Sequence, residues 1–300
     1  MPAIQEIPEV QEVSRISIKN ILFPTDFSPA SAGALPFAIA FARIYGATLF
    51  LAHAIPQEPH LQVTLDPIPE QDDQSRDEAR SQLAVLTRDA MFVGVDVKPL
   101  LDRGDLAETI TTMIRDHGID LVVLGSHGRR GVSKLVFGSG AETIFRCAPC
   151  PVLTIGPKVH EISHDWKPRR ILCPVDVSED PEPVLHYGLS LAEENQSSIL
   201  ILEAIPMVPW QHRESVKERS RQALGTLIPP DAQDWCTPEV LIRWEHPAHA
   251  ILEVAKDRET DLIVMSVHKS RVAGLSSHLP WPIASEVVSR AGCPVLTIRI

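Results

Sequence analysis

The sequence predicts two tandem α/β domains, each an open parallel sheet with crossover helices on both faces, and three observations carry that prediction. Short apolar runs alternate with helix-period segments along all 300 residues, the pattern of strands joined by helices rather than by hairpins. The length is about twice that of a common domain, and the 44% hydrophobic content is enough for a packed core in each half. The chain also repeats itself. NILFPTDFSP from Asn20 returns as RILCPVDVSE from Arg170, and LFLAHAIP from Leu49 returns as ILILEAIP from Ile199, both at an offset of 150. DLVVLGSHG from Asp120 returns as DLIVMSVHK from Asp261 at an offset of 141, and CPVLTI from Cys150 returns from Cys293 at 143. The fall from 150 to 141 is a loss of nine residues around the second helix of the second copy, and the rise to 143 a gain of two in the following loop.

In the first copy the apolar runs place strands at 20–24, 48–54, 95–101, 120–125 and 152–155. The first helix opens on Ser28 followed by Pro29, an N-cap and first-position pair, and carries Ala34, Phe37, Ala38, Phe41 and Ala42 at helical spacing. A second helix over about 71–91 shows Ala79, Leu83, Leu86 and Ala90 on one face. Asp105 with Glu108 starts a third in the manner of a capping box, and Gly118 ends it after His117. A short helix runs to Cys147 before the last strand. The expected domain bounds are a flexible tail at 1–17, a first domain at 18–156, a linker at 157–168 and a second domain at 169–300.

Composition excludes several functions. A net charge of −11 argues against nucleic acid or an anionic membrane as the main partner, because counterion release needs a basic face. No stretch approaches the roughly 20 apolar residues of a membrane span, and MPAIQEIPEV lacks the marks of a signal peptide, so a cytoplasmic location is expected. Cys147, Cys150, Cys173, Cys236 and Cys293 are too few and too scattered for a disulfide framework. The Cys147/Cys150 pair, set among Pro149 and Pro151 with no second pair to complete a zinc site, reads as two half-buried thiols. His246 and His249 reach a helix start three residues apart, and a shared metal with Glu245 or His268 is weighed there against an N-cap and a first-turn surface residue; the latter is favoured.

The segment 125–140, GSHGRRGVSKLVFGSG, is the richest in chemistry. Glycines there let the backbone reach positive φ and come close to anionic oxygens. In an open α/β sheet a ligand sits at the carboxyl ends of the strands where strand order reverses. Pro24, Thr25 and Asp26, then Ala54, then Gly125 close three strands at that place. A carboxylate at Asp26 repels phosphate but accepts hydrogen bonds from ribose hydroxyls. Phosphates are expected at Gly128 and at Ser139 and Gly140, the free N–H groups of a helix start. His127, Arg129, Arg130 and Lys134 lie between the glycines and could touch them. No Walker A loop and no GxGxxG is present.

The spacing Gly125, two residues, Gly128, nine residues, Gly138 and Ser139 resembles the G-x2-G-x9-G-[ST] nucleotide motif of the universal stress protein family. ILFPTDFS and APCPVLTI resemble that family's first and last strands. The resemblance implies an adenine nucleotide alpha hydrolase-like, Rossmann-like domain of five parallel strands that binds ATP, with or without Mg²⁺. It places Asp26 at the ribose, a backbone contact near Ala54 at the adenine, and Gly125, Gly128, Gly138, Ser139 and Gly140 at the phosphates. It implies tight binding with little or no hydrolysis, and pairing of strands 152–155 and 295–298 across an internal pseudo-dimer. A further homodimer and a protein partner that reads the bound state are left open. The second copy keeps Asp176 but has Ser266 for Gly125, Lys269 for Gly128, Trp281 for Gly138 and Pro282 for Ser139; a proline removes a donor N–H, so no nucleotide is expected there. Trp210, Trp235, Trp244 and Trp281 either plug that cleft or form a partner site, the former being favoured. The reading is a non-enzymatic, ATP-binding stress or signalling module. The alternative is a slow ATPase or adenylate-transferring enzyme.

Overall fold

The computed structural model describes residues 15–57, 69–126, 138–163, 166–206, 208–267 and 282–300. The first domain runs β1 (Asn20–Pro24), α1 (Pro29–Tyr45), β2 (Thr48–Pro56), α2 (Pro69–Leu86), β3 (Val97–Gly104), α3 (Leu106–Asp116), β4 (Leu121–Gly125), α4 (Ser139–Cys147) and β5 (Val152–Ile155). The second repeats this as β6 (Arg170–Val175), α5 (Glu182–Asn195), β7 (Ser198–Ala204), α6 (Arg213–Leu227), the short α7 (Ala232–Trp235), β8 (Pro238–Arg243), α8 (Pro247–Asp257), β9 (Leu262–Val267), α9 (Pro282–Arg290) and β10 (Val295–Arg299).

All ten strands form one sheet in the order β3-β2-β1-β4-β5-β10-β9-β6-β7-β8. Every pairing within a half is parallel, and the halves join at an antiparallel seam where Leu296 faces Leu153. That seam is the internal pairing the family resemblance implied. Strand residues alternate between two cores. Ile21, Phe23, Leu121 and Val123 face the layer holding α1 and α5; Leu22, Val122 and Leu124 face the layer holding α3, α4, α8 and α9. This period of two, apolar on both sides, is why these strands read as continuous hydrophobic runs. Burial of each large side chain contributes roughly 1.5–3 kcal/mol, and both cores cross the seam, so the halves share one interior.

Two carboxylates pin the scaffold identically in both copies. Asp120 Oδ2 accepts from the Lys19 and Asn20 amides at 2.7 and 2.9 Å, and Asp261 Oδ2 accepts from the Arg169 and Arg170 amides at 3.0 and 2.9 Å. As the sequence predicts, the Ser28 side chain accepts from Ser31 N at the start of α1. Asp105 accepts from the Ala107 and Glu108 amides at the start of α3.

Several expectations require correction. The second helix ends at Leu86, short of residue 91. Thr87 Oγ1 turns back to Ala84 O and Asp89 Oδ1 takes the Met91 amide, so a separate 3-10 turn covers Ala90–Phe92. Strand β3 is shifted to Val97–Gly104 because its backbone follows the extended β2, pairing out to Pro56 with Gly104. Of the expected tail, Ile16 is buried and its amide donates to Ser190 Oγ on α5. In the linker, Trp166 is partly buried and packs against the core, on Phe37 and Phe41 of α1 at 5.2 and 6.1 Å.

Candidate functional site

In the first domain the chain leaves β1 for β2 and β3 on one side, then crosses to β4 and β5 on the other. The carboxyl ends of β1 and β4 therefore flank the switch in strand order, where a crevice must open because the two connections diverge. A cavity of about 850 Å³ lies there. Pro24, Thr25, Asp26, Ala54, Gly125, Gly138, Ser139 and Gly140 all line it. His127, Gly128 and Arg129, with Arg130 and Lys134, lie outside the described residues.

The loop after β1 is strained. Phe27 has φ 57°, a left-handed conformation that costs an ordinary residue roughly 1–2 kcal/mol, and such strain persists where surroundings enforce it. Three contacts do so. The Phe27 amide donates to Thr25 Oγ1 at 3.0 Å, the Ser28 amide to Asp26 Oδ1 at 3.0 Å, and the Phe27 ring packs on His53 with centroids 4.7 Å apart. Thr25 is buried, with its amide on Ala52 O and its hydroxyl 3.1 Å from Ser31 Oγ. Burial raises the proton affinity of Asp26, but hydrogen bonds from Ser28 and Ser31 outweigh it and hold the carboxyl below its ordinary value. Asp26 is therefore an ionised acceptor at neutral pH.

Ala54 is placed by register. Thr48 N bonds Lys19 O and Ala52 O accepts from Thr25 N, so the even residues of β2 turn their peptide groups toward β1. Ladder pairing with β1 stops at Pro24 and Ala52. The N–H and C=O of Ala54 thus point past the end of β1, on the side of the cavity. On the opposite wall the Gly138 amide returns to Ser126 O at 2.8 Å and α4 begins at Ser139. The first intrahelical bond comes from Glu142 to Gly138 O, leaving the amides of residues 139–141 without an intrahelical acceptor at the positive end of the helix.

The glycines require a correction. Gly125, Gly138 and Gly140 are absent from the positive-φ set, and Gly138 sits at φ −59°. Gly125 is glycine for a different reason: a Cβ there would lie 2.5 Å from the Ala30 carbonyl oxygen in the first turn of α1. The missing side chain lets α1 sit down on β4. His53 is the wall residue that the sequence reading missed. Its Nδ1 is 2.7 Å from Thr25 O, and since a carbonyl only accepts, Nδ1 carries the proton. A histidine inside an apolar run reads as core; its place one residue after Ala52, the last residue paired with β1, is what turns it to the cavity. Glu78 and Gln82 of α2, also unanticipated, line the same wall.

The second domain departs at these positions. Asp176 Oδ1 accepts from the Ser178 amide and hydroxyl at 2.8 and 2.6 Å, yet Val177 is not among the described residues with positive φ. Glu203 replaces His53 and is 4% exposed. Burial drives its carboxyl above the usual value, Asp176 adds to this, and hydrogen bonds from Ser220 and the Val177 backbone oppose it. Helix α5 starts at Glu182, three residues later than the counterpart of Pro29, so the turn that would collide with Ser266 is not there. Pro282 opens α9; Lys269 and Trp281 lie outside the described residues. Trp235 packs against the core, Arg213 lies over Trp244 with 5.4 Å to the ring centre, and Trp210 is 82% exposed.

None of the remaining candidates among the described residues lines this cavity. Cys147 donates to Ile144 O, and burial raises its pKa and pushes that of Cys150 up to about 12, the opposite of an activated thiol. All five cysteines are free. His246 is the N-cap of α8 without a side-chain cap bond. His249 instead lies between Glu245 (2.7 Å) and Glu253 (3.5 Å) on an exposed helix face, and His268 lies outside the described residues. Among the described residues no helix is long and apolar enough to cross a membrane.

The model of the universal stress protein family matches residues 17–156 and again 167–299. A universal stress protein of Methanocaldococcus jannaschii is 25% identical over 158 residues, covering 48% of this chain and 98% of the relative. A universal stress protein E homolog of Haemophilus influenzae is 27% identical over 214 residues, covering 64% and 66%. A crystal structure of a universal stress protein from Archaeoglobus fulgidus superposes with a TM-score of 0.68 at 18% identity over 93% of this chain and 98% of that one, a likeness of fold.

Proposed function

This chain belongs to the universal stress protein family, two copies of whose domain it carries, and from that premise we propose that its first domain binds an adenine nucleotide, ATP, as a non-enzymatic stress-response or signalling module. The observation that carries this is the pairing, across one cavity, of an acceptor wall and a donor wall. Asp26, ionised and held by its turn, is suited to ribose hydroxyls. The Ala54 peptide offers one donor and one acceptor side by side, as an adenine edge requires. The first-turn amides of α4 suit a phosphate, and glycines at 138 and 140 keep side chains out of its way. A volume of about 850 Å³ is in the range of roughly 300–1,000 Å³ usual for small-molecule sites.

Binding without turnover fits the carboxylates. Asp26, Asp105 and Glu78 line the cavity; the first two already accept from backbone amides and Glu78 Oε1 from Gln74 Nε2, which supports reading them as structural acceptors rather than bases poised for water. The second domain keeps the scaffold without the site: Pro282 removes a helix-start donor and Glu203 adds a buried acid where His53 stood. Mass spectrometry of ligand released from purified protein should find one adenine nucleotide per chain, lost in Asp26→Ala, with phosphate release at background. A chain that retains no adenine nucleotide and whose Tm is unmoved by millimolar ATP would overturn the reading. Two nucleotides per chain would overturn the asymmetry.

A further inference from the structure

The seam gives each flanking helix an equivalent contact from the opposite domain, and the two contacts have diverged. At the offset of 143, Phe145 near the end of α4 corresponds to Val288 near the end of α9, and Gly156 after β5 corresponds to Arg299 at the end of β10. On α9 the contact is backbone alone: Gly156 approaches the Val288 carbonyl oxygen so closely that no Cβ fits. On α4 it is a charged side chain. Arg299 Nη2 donates to the Phe145 carbonyl oxygen at 2.8 Å. Close by, Thr297 Oγ1 donates to Val152 O at 3.1 Å, which fixes β10 on β5.

We propose that Arg299 of the second domain is a positioning residue for the nucleotide site of the first, holding α4 by its carboxyl end so that its amino end stays on the cavity. The proposal rests on the reading that the α4 amides meet the nucleotide phosphates. The last carbonyls of a helix have no partner within it, and a cation bonded to one of them both fixes the end and complements the dipole. Helix α4 has nine residues, a lever of about 14 Å, too short to hold its own direction against a free end. The arginine contact falls on the helix that lines the cavity, while the helix whose first residue has become proline receives glycine. In this arrangement the second domain, which lacks one donor at its own helix start, acts as a built-in support for the first. Linkage is reciprocal: a nucleotide held by α4 tightens the Arg299 contact across the seam.

The test measures two quantities on the full chain. Isothermal titration with ATP should show Arg299→Ala binding about tenfold more weakly than wild type, with most of the loss recovered in Arg299→Lys, while Arg258→Ala, which removes a surface pair with Glu239, changes nothing. Amide hydrogen exchange without nucleotide should show faster exchange over 138–148 in Arg299→Ala and unchanged exchange over 282–292. Equal ATP affinity in Arg299→Ala and wild type overturns the proposal. If the wild type binds no ATP, the reading of the site fails, and exchange still decides the positioning: unaltered protection of 138–148 overturns it.

Discussion

In the first domain the opening turn of α1 rests on a strand that ends in glycine; in the second the corresponding turn is missing and the strand carries serine at that point. Gly125 and Ala30 are 95 positions apart, yet each permits the other. With the turn present, Ser28 caps α1, Phe27 is driven into a left-handed conformation over His53, and Asp26 is set facing the cavity. Without it, Ser178 spends its hydroxyl on Asp176 and Val177 relaxes. On the proposed reading, a site is lost through its scaffold as much as through its ligand contacts. A glycine-to-serine difference and a helix shorter by three residues are then what deprive Asp176 of the geometry that Asp26 has.

Exchanging those two residues is the strongest way to break the comparison. Gly125→Ser should cost about 2–3 kcal/mol, since the new Cβ meets backbone rather than a side chain that could swing away. Ser266→Gly should cost no more than about 1 kcal/mol, the loss expected for a glycine placed within a strand. Urea unfolding of the two variants decides it; equal costs would mean that the α1 contact is not what keeps Gly125.

The retained aspartates offer the next contrast. Asp26→Asn should weaken ATP binding by about 10- to 100-fold, the worth of roughly 1.5–3 kcal/mol for a hydrogen bond to a charged group, and Asp176→Asn should leave it unchanged. Titration calorimetry separates them, and a matching loss in Asp176→Asn would place nucleotide in both clefts.

How far the sequence revealed this depended on the range of each interaction. The strands and their order of appearance were legible because burial on both faces writes long apolar runs, and the caps at Ser28 and Asp105 were legible because their partners lie two or three residues away. The seam and the nucleotide motif came from likeness to a family. What stayed hidden was set by distant contacts. The reason for Gly125 lies on Ala30, the Ile16 amide finds its acceptor on Ser190, and the end of β3 is dictated by how far β2 runs. His53 was passed over because only the point at which β1 stops shows that the position faces a cavity rather than the core.

Opposite charge behaviour at two carboxylates, one in each domain, sharpens the comparison further. Glu203, in the place of His53, has its carboxyl pushed above the ordinary 4.5 by burial. The sign follows: a raised folded-state pKa means that the protonated form fits the fold, so this stability is fully present below pH 4.5 and is lost as pH rises through the raised value. Glu203→Gln should remove that slope and be more stable than wild type at pH 7, while the two converge toward pH 4. Asp26 has the opposite sign. Its carboxyl is held below 3.8, so its contribution is present above that value and lost as pH falls through the lower folded value. Urea midpoints across pH 3–8 test both; a Glu203→Gln curve parallel to wild type would show that this carboxyl is not held protonated.

The smallest gap separates the two serines that follow the aspartates. Ser28 accepts from Ser31 N at 3.3 Å and lies at the N-cap of a 17-residue helix, and removing a cap of this kind costs about 1 kcal/mol. Ser178 is four residues before the start of α5 and its hydroxyl donates to Asp176 instead, an exposed bond within one turn. Ser178→Ala should therefore fall within about 0.5 kcal/mol of wild type, as surface changes do. The difference is measurable as two chemical denaturation midpoints with a common slope. Equal midpoints for Ser28→Ala and Ser178→Ala would show that the first turn of α1 is held by Gly125 and the core alone, and that its cap is incidental to the site.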